Sequence, residues 1–308
     1  MRASLCIYHP LGAHVIASGG APCAAPRARA ARGRADGRGR TDGRAGAMGV
    51  MRGLKSLIVK SSPGKLVKSK FRAGYRATGE DGKVRGPKLR GVARMLDEHV
   101  FSGAQLPTQT GEGPSGLGGG FWGGDGRRRG AAVDAQVSRL AKSTQSVRNS
   151  SRQLQLTRVT FNALAYHNLE PIEAQRVVLD ERRRLATAID VVCLNRDRDD
   201  EVVLVELKTG FMGDRAMPAR DSCGKVIKMR APLTTARDCA LHRHLAQLAA
   251  TRELFVREAA TMKALHKKGI TRVVGILLYV TPSGSEIHRL PTWWSKRGER
   301  ILEHLAGC

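Results

Sequence analysis

The sequence predicts an α/β protein, a mixed four-stranded sheet flanked by helices, confined to residues 130–308 of a 308-residue chain. Three observations predict it. Apolar residues recur at helical spacing after Gly130, three apolar runs separated by short polar turns read as a meander, and a further apolar run follows a long helical stretch. Up to Arg129 the chain is dominated by Gly, Ala, Arg, Lys and Pro, a composition that buries too little apolar surface to offset chain entropy.

From Ala131 to about Val147, the residues Val133, Val137, Leu140 and Ala141 repeat with helical period, and a second helix is predicted over Leu154–Tyr166. Pro171 breaks that pattern. Strands are predicted at Glu173–Leu179, Leu185–Leu194 and Glu201–Lys208, joined by polar turns at Asp180–Arg184 and Asn195–Asp200. Pro232 marks the approach to a long helix over about Thr234–His266, whose Leu241, Leu245, Leu248, Phe255, Ala259 and Met262 form a core-facing stripe. Gly269 ends it. A fourth strand is expected at Arg272–Val280 and a last helix near Ser295–Leu305.

Net charge is +26 with a pI near 10.8, a surplus that draws a chain to polyanions and makes nucleic acid the expected partner. Within the predicted domain Arg182, Arg183, Arg184, Lys225, Lys228 and Arg230 are the candidate phosphate contacts, although a solvated hairpin tip explains Arg182–Arg184 equally well. The six cysteines contain no C-x-x-C pair, which excludes the usual zinc and redox spacings and predicts reduced thiols. No run approaches the roughly 20 apolar residues of a membrane helix. Trp293-Trp294, followed by Ser295-Lys296-Arg297, reads as a cover over one end of the core, with a base-stacking platform as the alternative.

Residues 1–50 carry arginine but no lysine, with Asp36 and Asp42 as their acids, and are rich in Ala and Gly; this is the profile of a transit peptide. It predicts an organelle, the mitochondrion before the plastid, with nucleus or cytoplasm as the alternative if the leader is not used. Met48 and Met51 are alternative starts. Residues 51–129 read as a basic linker region, and the glycine-rich stretch Gly103–Gly130 is no phosphate loop because it ends in three arginines rather than in Gly-Lys-Ser/Thr.

The chemistry is expected in residues 188–210, where Asp190, Glu206 and Lys208 interrupt two apolar runs. An unpaired charge in a dry sheet costs several kcal/mol, so three ionisable groups kept there predict something held between them, and a divalent cation is the simplest candidate. Glu206 and Lys208 share a strand face, and Asp190 meets them from the neighbouring strand. Two carboxylates for a hard cation and an ammonium beside them suit phosphodiester hydrolysis with Mg²⁺ or Mn²⁺. On the long helix His244, Gln247 and Thr251 fall on one face beside the apolar stripe.

The spacing Asp190, fifteen residues, then Glu206-Leu207-Lys208 at the end of an apolar strand resembles the signature of the PD-(D/E)-x-K nuclease superfamily. Gly130-Ala131-Ala132-Val133-Asp134 is similar to the G-x-x-x-H element of its RecB-like exonuclease branch, which includes mitochondrial genome maintenance exonucleases, with Asp134 in the place of the histidine. Gln247 matches the glutamine of that branch's Q-x-x-x-Y, and Thr251 stands where the tyrosine belongs. The resemblance covers about residues 128–290. It implies a restriction-endonuclease-like core, Mg²⁺ or Mn²⁺ dependence, Asp190 and Glu206 as metal ligands with Asp134 as a further one, Lys208 and Gln247 completing the catalytic set, and cleavage of DNA before RNA. Two other readings stand beside it: a nucleic-acid-binding protein that keeps the fold without the chemistry, and a purely structural ion-pair network.

Overall fold

The computed structural model describes residues 15–17, 66–68, 74–78, 84–103, 124–209 and 214–308, with side chains from residue 88 onward apart from 124–127, 145 and 150. Most of the expected leader, both alternative starts and most of the glycine-rich linker lie outside the described residues. The chain order is β1 (Val15–Ala17), β2 (Leu66–Lys68), β3 (Gly74–Thr78), β4 (Val84–Gly91), α1 (Val92–His99), α2 (Gly124–Ala141), α3 (Gln145–Ser150), α4 (Gln155–Tyr166), β5 (Leu169–Asp180), β6 (Leu185–Asn195) and β7 (Glu201–Thr209). It continues through α5 (Ala240–Arg257), α6 (Ala259–Lys267), β8 (Arg272–Thr281), β9 (Gly284–Arg289), α7 (Thr292–Ser295) and α8 (Gly298–Gly307).

The protein is mixed α/β. Among the described residues the sheet has nine strands rather than the expected four, in the order β1-β9-β8-β7-β6-β4-β3-β2, with β5 also paired to β6. Strands β4 to β9 form its body, and the pairs β4–β6 and β7–β8 are parallel while the other pairs are antiparallel. β5 runs along the whole of β6, so β4 and β7 share the other edge: β4 pairs at Leu185 and Ala186, and β7 from Val191 to Leu194.

Alternation along β7 sorts the core into two layers. Val202 and Leu204 join the layer built with α1, α5 and α8, while Val203, Val205 and Leu207 join the layer under α2 and α4. Glu206 and Lys208 continue the even-numbered row and therefore lie on the α5 side. Two glycines permit the close approach of helices there. A Cβ on Gly275 would meet Leu248 at 3.0 Å, and one on Gly298 would meet the carbonyl oxygen of Ala249 at 2.7 Å.

Four features differ from the sequence reading. The packed core reaches back into the expected linker, with Leu89, Val92, Met95, Leu96, Val100 and Phe101 all buried. The apolar residues of that stretch keep helical spacing, but Arg, Lys and Gly dilute them. Pro171 lies inside β5, at a register shift against β6 between Pro171 and Glu173. The long helix starts at Ala240 and breaks at Glu258, whose ψ of 88° is not helical and whose carboxylate accepts from Arg176 Nη2 at 2.8 Å and Thr261 Oγ1 at 2.9 Å. Arg176, 1% exposed, also holds Glu173 at 3.0 Å, so the break is fixed from β5 by a buried ion network. The fourth difference is β9, a polar strand with no alternation to announce it. Among the described residues no helix is long and apolar enough to cross a membrane, and Cys193 is a buried free thiol in the core, as its apolar strand predicts.

Asp238, fully buried, ties α1 to α5. It accepts from Ser102 N at 2.8 Å and from Arg243 Nε at 2.6 Å and Nη2 at 3.0 Å. Burial pushes its carboxyl up, but the donors from Arg243 and Ser102 outweigh that and hold it below the ordinary range. A depressed folded-state pKa contributes stability at pH values above the unfolded one, lost as pH falls through the folded one. Two outcomes are expected in urea unfolding. Asp238→Ala loses about 3 kcal/mol at neutral pH, because it removes the buried carboxylate that accepts from Arg243 and Ser102, and its stability falls less than that of the parent below about pH 4. Leu96→Ala loses about 2–5 kcal/mol, which checks that residues 84–103 belong to the core.

Candidate active site

The site lies where β6 and β7 part. Their ladder stops at Val191↔Val205, while β7 stays paired with β8 through Glu206, Leu207, Lys208 and Thr209. The amide of Leu207 thus has no backbone partner on the β6 side, and the Asp190 carboxylate takes it instead, accepting at Oδ2 from Leu207 N at 2.8 Å. Asp190 Oδ1 accepts from Gln175 Nε2 at 3.2 Å. Gln175, on β5, has a φ of 52°, a left-handed conformation uncommon outside glycine, and stands across the ladder from Asp190.

Glu206 is 3% exposed and its Oε1 receives two donors, Lys208 Nζ at 2.7 Å and Gln247 Nε2 at 2.7 Å. Lys208 Nζ also donates to Gln247 Oε1 at 3.2 Å, closing a triangle. Only one orientation of the Gln247 amide serves both neighbours, since an ammonium can only donate and a carboxylate can only accept. Gln247 reaches the site because α5 crosses the even-numbered face of β7.

Burial pulls the Lys208 ammonium down, but the carboxylates of Glu206, Asp190 and Asp134 reverse that and hold it above its ordinary value. Lys208 is therefore a cation at neutral pH, a hydrogen-bond donor and no general base. Asp190 is shifted the other way. Burial first, then the negative charge of Glu206, push its carboxyl well above the usual carboxylate range against the help of Lys208 and the Leu207 amide, and Asp134 adds to the upward push.

The sequence-derived residues fall into three groups. Asp190, Glu206, Lys208 and Gln247 come together. Asp134, on α2, stands close enough for its charge to act on Asp190 and Lys208, and α2 approaches the end of β7 so closely that a Cβ on Gly130 would meet Thr209 Oγ1 at 3.3 Å. The basic candidates lie apart. Arg182–Arg184 form the β5–β6 turn, where Arg183 is ion-paired to Asp180 at 2.8 Å and Glu299 at 3.0 Å. Lys225 and Lys228 are exposed between β7 and α5, and Arg230 braces α1 by donating to the carbonyls of Glu98 at 3.1 Å and Ser102 at 3.0 Å.

Gln175, Tyr279 and Arg215 carried no signal as site residues. Gln175 holds Asp190. Tyr279, in register with Lys208 on β8, shares a 2.7 Å hydrogen bond with His244 Nδ1, and the Arg215 guanidinium lies 4.2 Å from its ring centre. Burial, then the charges of Lys208, Arg243 and Arg215, push the His244 imidazole well below its ordinary value, so it is neutral. His244 is thus a hydrogen-bonded neighbour of the site and no surface histidine. Its placement beside Lys208 follows from the i, i+3 spacing to Gln247.

Among the described residues no set of three or more His, Cys, Asp and Glu is arranged to hold a metal ion. Asp190, whose ionisation is opposed by burial and then by the charge of Glu206, nevertheless forms with Glu206 a pair that suits a hard divalent cation, which accepts oxygen ligands and completes its shell with water. Comparison of the chain with models of known protein families and with curated proteins found no match.

Since ionising Asp190 costs free energy in this setting, Asp190→Asn is expected to raise the melting temperature in EDTA near pH 7. With Mn²⁺ the order reverses: the parent gains about 2.7 kcal/mol at a hundredfold excess over Kd, and Asp190→Asn and Glu206→Gln gain little. Differential scanning fluorimetry with and without Mn²⁺ reads both effects.

Proposed function

We propose that this chain is a metal-dependent nuclease of the PD-(D/E)-x-K superfamily with a restriction-endonuclease-like core, hydrolysing phosphodiester bonds of nucleic acid, DNA before RNA. One observation carries the reading: Asp190 and Glu206 converge at the parting of β6 and β7 beside a lysine held in its charged form. The resemblance to the RecB-like branch rests on Gly130 and Gln247, while Asp134 and Thr251 depart from its histidine and tyrosine.

In this reading Asp190 and Glu206 hold Mg²⁺ or Mn²⁺, with Asp134 near enough to steer its water. When bound, such an ion polarises the phosphate and lowers the pKa of water. Glu206 and Gln247 fix the position of Lys208, and Leu207 N and Gln175 fix that of Asp190. The protonated Lys208 donates to the attacking water or to a phosphate oxygen on which charge accumulates. Water oxygen bonds to phosphorus and the ester bond to the leaving sugar oxygen breaks, one water proton passing through solvent to that oxygen, giving a phosphate monoester and a hydroxyl. A transit leader in residues 1–50 would place this activity in an organelle, the mitochondrion first.

A second reading is a nucleic-acid binder on the same fold, favoured by the closed Glu206–Lys208–Gln247 triangle and the lack of a third side-chain ligand among the described residues. The two are separated by incubating the full chain with end-labelled linear and circular DNA, single- and double-stranded, and with RNA, in Mg²⁺, Mn²⁺ or EDTA. Metal-dependent cutting that drops about 10²-fold or more in Lys208→Ala, with folding retained, is the expected result. Full activity in both Lys208→Ala and Asp190→Ala would sink the assignment, and binding without cutting in every metal would establish the binder.

A further inference from the structure

At the far end of β6 the β5–β6 turn, the end of β4, the start of α1 and the end of α8 enclose a groove of about 890 Å³. Its wall carries Lys88, Arg90, Arg94, Arg182, Arg183 and Arg184 against the acidic side chains Glu98 and Glu303. Two of the cations are neutralised nearby: Arg94 pairs with Glu98 at 2.6 Å, and Arg183 with Asp180 and Glu299. Lys88, Arg90, Arg182 and Arg184 have no carboxylate partner among the described residues. Arg90 instead donates from its backbone to Arg184 O at 2.8 Å and from Nη2 to Arg183 O at 3.4 Å, which locks β4 to the turn and holds these cations side by side.

Uncompensated like charges gathered into one concavity repel each other, and a polyanion relieves that repulsion. A second feature has the same sign. Helix α1 begins in this groove at Gly91, with no side-chain cap and no acidic residue in its first turn, so its N-terminal amides add positive potential, set against the negative end of α8 on the facing wall. The volume greatly exceeds one phosphate, which favours several phosphates in series.

The groove and the candidate active site lie along the same strand, β6. Arg184 lies six residues before Asp190, at most about 20 Å along the strand. Helix α1 bridges the two places, for the charge of Lys208 reaches its Asp97 while its Arg94 lines the groove.

We propose that this groove is a backbone-phosphate anchor for a nucleic-acid strand, in which Lys88, Arg90, Arg182 and Arg184 grip phosphates within about six nucleotides of the bond presented to Lys208, taking about 3.4 Å per nucleotide in a duplex. It rests on the nuclease reading for the position of that bond, but the grip itself does not. The anchor carries no sequence preference, because phosphates are alike whatever the base.

The test measures binding of the full chain to a fluorescein-labelled DNA duplex in EDTA, by anisotropy across a range of salt concentrations. Lys88→Gln/Arg182→Gln removes two contacts and is expected to reduce the slope of log K against log salt by about two, with an unchanged melting temperature. Lys267→Gln/Lys268→Gln, beside the start of β8 at the other end of the sheet, keeps the parent slope. A parent slope in the groove variant, or equal loss in the Lys267/Lys268 variant, overturns the anchor, the latter by showing that diffuse charge does the binding. Cleavage in Mg²⁺ is scored separately on the same duplex, so absence of cutting by the parent defeats the nuclease reading and leaves the anchor standing if the slope has changed.

Discussion

The hydrogen bond from the Leu207 amide to Asp190 sets the character of this fold. A strand edge must satisfy its amides, and the chain does so here with a carboxylate rather than with another strand. β6 is thereby free to leave β7 while still paired to β5, and β4 takes over the vacated edge at Ala186 and Leu185. The result is a wedge-shaped opening in the sheet, with a buried acid at its apex and Glu206 and Lys208 on one side. Without the Asp190 side chain the opening would leave an orphaned donor in the interior.

The cost of the arrangement appears in the electrostatics. Lys208 and Glu206 stabilise each other and Gln247 satisfies both, so that half of the site is a balanced network. Asp190 is the unbalanced member, because burial first and then the nearby charges of Glu206 and Asp134 oppose its ionisation. A fold optimised only for stability would carry a neutral acceptor there. The cost falls on a single residue, the pattern expected where something other than stability sets the residue type.

The strands nearest the site were readable from the sequence to within a residue or two at most ends, because their apolar runs are dense and their turns polar. Convergence of Asp190, Glu206 and Lys208 followed from strand period and antiparallel pairing. Gln247 needed the further fact that α5 crosses the α5-side face of β7, which its i, i+4 stripe suggested. Other features depend on distant contacts. The break at Glu258 is set by Arg176, 82 residues earlier, and no local pattern announces it. Gln175 acts through a backbone conformation that a glutamine does not advertise. The helix α1 hid in plain composition: six apolar residues among Gly, Arg and Lys look like a linker until a core is present to receive them.

That helix has a consequence for how the molecule is made. Leu96 and Val100 pack in the same core as Ile301 and Leu305, and the β5–β6 turn is clasped to α8 through Arg183 and Glu299. A segment synthesised early therefore waits for one synthesised about 200 residues later, and until the ribosome has released α8 the apolar face of α1 is covered only in part, by α5 and the sheet. Chaperone demand during translation should concentrate on this interval, and the basic groove, being walled by both helices, is assembled only at its end.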